Sequence, residues 1–208
     1  MASNPILMKT RFFLCLFLLS LSCFSQNTAL KTATVAIYNA NYTMDFDAIA
    51  ELTYPKIYEA QGKPAFVTKL DNDYLNDEFR MRIQMESSVF SYSDIKKIDG
   101  KTFCVVTYKN PARVFFEKKV AAAEATAKAA TLKEHYRANE VLFEPKRNSF
   151  NVKRVSKLVA IFDETTDGQW RFINLDDVDQ RAAFDLPVRL GEIMPDAVEK
   201  PPVPPVGA

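Results

Sequence analysis

The hydrophobic period of this chain changes near residue 80 from that of a helix to that of a strand, and this change limits the folds open to it. Upstream, three segments read as helices. Residues 29–40 place Leu30, Ala33, Ile37 and Ala40 on one stripe. Residues 45–60 repeat the pattern with Phe46, Ile49, Ala50, Thr53, Tyr54, Ile57 and Tyr58. Thr43 or Asp45 can cap this second helix and Gly62 can end it. Pro55 lies within it and lacks the N–H that its turn requires, which predicts a kink. Pro64 suits the first turn of a third helix over 64–77, with Phe66, Leu70 and Tyr74 along one face.

Downstream, Met81, Ile83 and Met85 alternate with Arg82, Gln84 and Glu86, the pattern of a strand with one face buried. Asp99-Gly100 separates Ser91–Ile98 from Lys101–Lys109 and predicts a hairpin with a two-residue turn. Asn110-Pro111 punctuates the end of that strand, and Val114–Glu117 extends the sheet. Residues 118–138 are rich in Ala, Lys and Glu with no Gly or Pro, and predict a helix about 30 Å long. Its apolar face is thin: Ala121, Ala125, Leu132 and Tyr136. Three more strands follow, at Val141–Glu144, Phe150–Asp163 with a break near Ser156, and Gln169–Leu175. Residues 164–168 form the hairpin loop between the last two. Helices first, then mostly antiparallel strands with one helix inserted among them, give an α+β fold.

The N-terminus has a different character. Lys9-Thr10-Arg11 precedes an apolar run from Phe12 to Leu21, followed by small and polar residues to Gln26. This reads as a secretory signal peptide over residues 1–25, with Met8 able to serve as an alternative start. The run is too short for a membrane span, which takes roughly 20 residues. Acylation of Cys23 is disfavoured because Ser20 stands where a lipobox carries Leu. The mature chain is therefore expected to be periplasmic or extracellular, without a transmembrane segment. About 180 residues then remain: one domain over 26–180 and a C-terminal extension over 181–208. The extension ends in a Pro-rich run, Pro201-Pro202-Val203-Pro204-Pro205, expected to be a disordered polyproline tail.

The leader contains Lys9 and Arg11 but no acid, so the 27 basic and 26 acidic residues become 25 and 26 in the mature chain, a net charge of −1. A balance so near neutral gives no electrostatic reason to expect a nucleic-acid partner. Cys15 and Cys23 leave with the leader, so Cys104 stands alone in an apolar strand pattern, as a buried inert thiol. The five glycines are too dispersed for a phosphate-cradling loop or a dinucleotide fingerprint, and there is no nucleophile elbow. His135 is the single histidine, which removes His-based metal clusters; it reads as a surface residue. Asp71-Asn72-Asp73 and Asp176-Asp177-x-Asp179 are acidic enough to test against calcium, but read as solvated segments. No metal or cofactor is expected.

Asp45-Phe46-Asp47, Leu52-Thr53-Tyr54-Pro55-Lys56, Phe103–Pro111 and Gly168-Gln169-Trp170-Arg171-Phe172-Ile173 together resemble a group of exported NTF2-like proteins of Bacteroidetes type, over about residues 29–176. The resemblance implies a curved, mostly antiparallel sheet wrapped around the N-terminal helices as a cone. Enzymes of that superfamily, of the ketosteroid isomerase kind, project a carboxylate and Tyr or Asp donors into the cone. Here the apolar strand registers Phe103–Tyr108, Leu158–Phe162 and Trp170–Leu175 hold no carboxylate, so a dry, uncharged lining is expected. Tyr54, Tyr58, Tyr108 and Trp170 are the candidate ligand contacts. The preferred function is non-catalytic binding of a small apolar or aromatic ligand. A protein-interaction or homodimerisation module comes second, and an isomerase or dehydratase with an unassigned base, for which Asp47 or Glu51 could reach inward, comes third.

Overall fold

A computed structural model describes residues 27–86, 89–183 and 191–193; the leader with Cys23 and the Pro-rich tail lie outside the described residues. Helix α1 covers residues 27–43, α2 Phe46–Leu52 and α3 Lys63–Tyr74. Strands β1 (Phe79–Ile83), β2 (Ser91–Tyr92), β3 (Lys96–Ile98), β4 (Lys101–Lys109) and β5 (Ala112–Phe116) follow. Helix α4 (Ala122–His135) separates them from β6 (Glu140–Glu144), β7 (Ser149–Lys153), β8 (Val155–Phe162) and β9 (Arg171–Asn174), and α5 (Val178–Ala183) comes after. The fold is α+β, with helices packed on antiparallel sheets that do not close into a barrel. Among the described residues, no helix is long and apolar enough to cross a membrane.

Local chemistry moves several boundaries from where periodicity puts them. Asp45 caps α2 as expected, its carboxylate accepting from the Ala48 N–H at 3.0 Å. The helix then ends at Leu52 and is not kinked at Pro55. The residue before a proline avoids helical angles, and Tyr54 is extended at ψ 123°. Thr53 bridges Phe172 of β9 instead, and Pro55–Ile57 makes one 3₁₀ turn. The Ala-rich helix is also shorter than expected, 14 residues and about 21 Å. Asn148 explains the late start. Its side chain donates to the carbonyls of Phe116 and Lys118 at 2.7 and 2.9 Å and accepts from the Val120 N–H at 2.8 Å, holding the chain out of helix up to Val120. The Asp99-Gly100 hairpin turn forms as predicted, with both residues at positive φ, 49° and 77°. In β1, Met81 and Ile83 are buried, whereas Met85 lies beyond the strand and is exposed.

Strands β1, β5, β7 and β6 form one sheet; β2, β4, β8 and β9, with β3 beside β4, form the other. The two are joined by a single ribbon. Lys109 faces Val155 in one sheet and Ala112 faces Val152 in the other, so the pairing register passes through the junction unchanged. Asn110-Pro111 therefore does not terminate the strand pair but interrupts it. The Asn110 N–H still donates to the Arg154 carbonyl at 3.0 Å, while Pro111 has no N–H to give. Because register is preserved, the even-numbered side chains of 104–116 and 150–160 share one face across both sheets. On that face only Arg154 breaks an otherwise buried row.

Two apolar clusters result, one under α1–α3 and β4, β8 and β9, the other between α4 and the smaller sheet. Phe46 packs against both. The short 191–193 segment returns to the body, with Ile193 buried in the first cluster and Lys96 donating to the Glu192 carbonyl at 3.0 Å.

A buried polar knot fastens the helical layer to the sheet. The Tyr54 hydroxyl donates to Asp163 at 2.8 Å, and the Lys101 ammonium lies 3.1 Å from the same carboxylate. Burial acts to raise the Asp163 carboxyl, but hydrogen bonds from Thr165, Tyr54 and Lys101 outweigh it and hold the group below its ordinary value. A carboxyl depressed in the folded state gives stability that is present above its unfolded pKa and lost as pH falls through the folded one. Urea unfolding is therefore expected to show wild-type stability falling below about pH 4, with a shallower fall for Asp163→Asn. Tyr54→Phe is expected to lose about 1–3 kcal/mol at neutral pH, because it removes a donor from a buried carboxylate. Identical acid profiles for wild type and Asp163→Asn would contradict this account.

Candidate functional site

A cavity of about 470 Å³ opens between the helices and the shared even-numbered face of the ribbon. Every strand residue in its wall obeys that parity or pairs with it: Tyr108 from β4, Leu158 from β8, Phe172 and Asn174 from β9, and Phe79 and Met81 opposite Phe116 and Val114. Asn110 and Arg154 line it from the junction. The helices add Ile37 and Asn41 from α1, Ile49 from α2, and Leu70 and Tyr74 from α3. These positions follow from helical spacing, since Phe66, Leu70 and Tyr74 lie on one stripe of α3 and all are buried.

The lining is not dry and uncharged, as the carboxylate-free strand registers lead one to expect. The polar groups come from positions just outside those runs. Asn110, 94% buried, donates through Nδ2 to the Ser156 hydroxyl at 2.9 Å, and Ser156 donates in turn to Asp176. Arg154 donates through Nε to the Asn110 carbonyl at 3.1 Å, and its guanidinium lies 5.5 Å from the centre of the Tyr136 ring. The Tyr74 hydroxyl donates to Asn41 at 3.0 Å. Tyr108 is 95% buried and packs edge-on against Tyr38, with ring centres 5.7 Å apart. Tyr108 lines the cavity, and its hydroxyl makes no hydrogen bond to a described residue.

All three phenols are shifted the same way. Burial raises Tyr108, the nearby Asp176 raises it further, and Arg154 opposes them. Burial likewise raises Tyr74, with Arg154 again opposing. Tyr136 is pushed up to about 12 by burial against the same opposition. Phenols shifted upward stay protonated at neutral pH, so they serve the cavity as hydrogen-bond donors and not as bases.

The mouth carries a separate charge cluster. The Lys69 ammonium lies 2.7, 3.5 and 3.7 Å from Asp73, Asp179 and Asp177. Burial acts to lower Lys69, but these carboxylates outweigh it and hold the ammonium above its ordinary value. Asp177 also caps α5, accepting from the N–H groups of Asp179 and Gln180 at 2.8 and 3.1 Å. Of the acids weighed as calcium ligands, Asp73, Asp177 and Asp179 thus surround a lysine and Asp176 accepts from Ser156, and the described residues contain no cluster of three ligands suited to a metal. His135 sits exposed at the rim, against Tyr136.

Of the four aromatic candidates, only Tyr108 lines this cavity. Tyr54 is fully buried and committed to Asp163. Tyr58 packs on Phe66 at 5.5 Å. Trp170 packs on Phe162 and edges a more open groove with Ala29, Ala33 and Leu52. Alternating or helical spacing reports burial, but does not separate burial against a core from burial against a cavity. Arg154, Asn110 and Asp176 escaped that reading. The available signal was a polar break in an apolar parity: Phe150, Val152, Arg154, Ser156 and Leu158 form one face on which two residues are polar.

No protein-family model matches the chain, and no curated protein matches it.

An ultraviolet difference titration checks the electrostatics. Tyr136→Phe is expected to remove one tyrosine that ionises near pH 12 and to leave the absorbance change below pH 10 unaltered. A loss of amplitude near pH 10 would place Tyr136 in ordinary solvent and contradict the enclosed cavity.

Proposed function

We propose that this chain is an exported NTF2-like domain that binds a small molecule in the cavity between its helices and its ribbon, without turning it over. The observation that carries the reading is Tyr108, a largely buried phenol that lines the cavity and finds no acceptor for its hydroxyl among the described residues. A phenol in the wall of a cavity without a protein acceptor can donate to a ligand. The lining has the make-up of a binding site: an apolar wall of Ile37, Ile49, Leu70, Leu158 and Phe172, with a few convergent polar groups. The volume admits a ligand of some tens of atoms at most. The ligand is accordingly a molecule with an apolar body and a polar head, not a wholly apolar one.

Recognition fits this lining better than catalysis. The phenols are donors, and the carboxylates of the lining are already engaged, Asp176 by Ser156 and Asp73, Asp177 and Asp179 by Lys69. The three N-terminal helices, the two antiparallel sheets joined by one ribbon and the inserted helix support an NTF2-like assignment, and the apolar run after Lys9-Thr10-Arg11 supports export.

Native mass spectrometry of the protein expressed in its source organism tests the reading. Wild type is expected to carry a non-covalent adduct that is lost on activation. Leu158→Trp, which fills the cavity, is expected to lack it while remaining folded. Overpacking costs about 1–3 kcal/mol, so Asp73→Trp at the exposed mouth provides a second, milder block. A wild type of apo mass alone, or an adduct unaffected by both substitutions, would contradict the proposal.

A further inference from the structure

The cavity holds two opposite charges that do not meet. Among the described residues Arg154 takes part in no ion pair; its one side-chain hydrogen bond there is from Nε to the Asn110 carbonyl, at 3.1 Å, which leaves its terminal Nη groups unused. Asp176 likewise takes part in no ion pair among the described residues; it accepts the Ser156 hydroxyl on one oxygen and leaves the other without a side-chain donor from them. Both line the cavity, and both are half-buried. A part-buried charge is costly unless it is paired, and two opposite ones in a single cavity would ordinarily join.

Asn110 keeps them apart. Its carbonyl anchors Arg154, and its side-chain amide holds Ser156, which holds Asp176. One buried residue at the ribbon junction therefore fixes a cation and an anion in the same wall. The other carboxylates of the lining do not offset Arg154, because Asp73, Asp177 and Asp179 are gathered around Lys69. Tyr108 lines the same cavity, and its ionisation feels both charges: Asp176 works to raise it and Arg154 to lower it.

We infer that the cavity selects a zwitterion, with Arg154 receiving its carboxylate, Asp176 its ammonium group, and the Ile49, Leu70, Leu158 and Phe172 wall its apolar side chain. This rests on the reading of the cavity as a small-molecule site. Arg154 can offer two parallel N–H donors to a carboxylate, and the free Asp176 oxygen can accept from an ammonium. The Tyr108 hydroxyl supplies a further donor to the carboxylate end. A free α-amino acid with an apolar side chain has this chemistry.

Calorimetric titration of the full chain with L-phenylalanine, L-leucine, hydrocinnamate and phenethylamine tests it. The amino acids are expected to bind at least about tenfold more tightly than hydrocinnamate, which lacks the ammonium, or phenethylamine, which lacks the carboxylate. Arg154→Gln is expected to reduce phenylalanine to the level of phenethylamine, and Asp176→Asn to reduce it to the level of hydrocinnamate. Arg154→Lys is expected to retain part of the preference. If a variant fails to fold, the four-ligand comparison on wild type decides alone. A single-charge analogue binding as tightly as phenylalanine overturns the zwitterion and leaves the cavity as a binding site. So does failure of all four ligands on a protein that still carries a native adduct. Failure of all four on a protein without an adduct overturns both readings.

Discussion

The register of one β-ribbon governs the rest of this molecule. Residues 102–109 pair with 155–162, and 112–115 with 149–152, in one register that passes through a junction where Asn110-Pro111 meets Arg154. Hydrogen bonds in both directions hold that junction, backbone to backbone and guanidinium to carbonyl. A slip of one residue there would exchange the two faces of one sheet relative to the other. Tyr108, Asn110 and Leu158 would then leave the cavity, and the apolar face under α4 would turn outward. Preserved parity is what lets two sheets with separate cores contribute to one lined space.

The same junction explains why the space remains open and polar. Val106 and Leu158 on one side and Ala112 and Val152 on the other are buried apolar pairs, and each sheet has enough of them to form its own cluster. At the junction the shared face turns to Asn110, Arg154 and Ser156, which cannot close against each other as an apolar core would. Their hydrogen bonds satisfy one another in part and leave donors and an acceptor facing inward. The knot of Tyr54, Lys101 and Asp163 stands apart from this arrangement and has a different role. All three of its groups are mutually bonded, so it fastens the segment after α2 to the end of β8 and presents nothing to a ligand.

Much of the fold was legible in the sequence because its signals are local. The change of hydrophobic period placed three helices before the strands, Asp99-Gly100 fixed a hairpin, and Asp45 marked a helix start. The misplaced boundaries depended on partners distant in sequence. Asn148 delays α4 from 28 residues away, through its bond to the Val120 N–H. Asn110-Pro111 looks like punctuation until the opposing strand shows that the register continues past it. At the site, Tyr108 was legible as a buried aromatic, but so were Tyr54, Tyr58 and Trp170, and burial alone does not reveal a cavity. Arg154 showed only as a polar break in an apolar parity, and Asp176 only as part of an acidic segment that reads as solvated. Only the fold brings both to Asn110 and leaves each without an opposite charge.

A high-resolution crystal structure of the purified protein measures the central claim most directly. The account predicts that Asn110 bridges Ser156 and Arg154, that Arg154 and Asp176 remain unpaired with each other, and that ordered density lies against the Tyr108 hydroxyl. A direct ion pair between Arg154 and Asp176, or apolar side chains packed across the space between the helices and the ribbon, would contradict it.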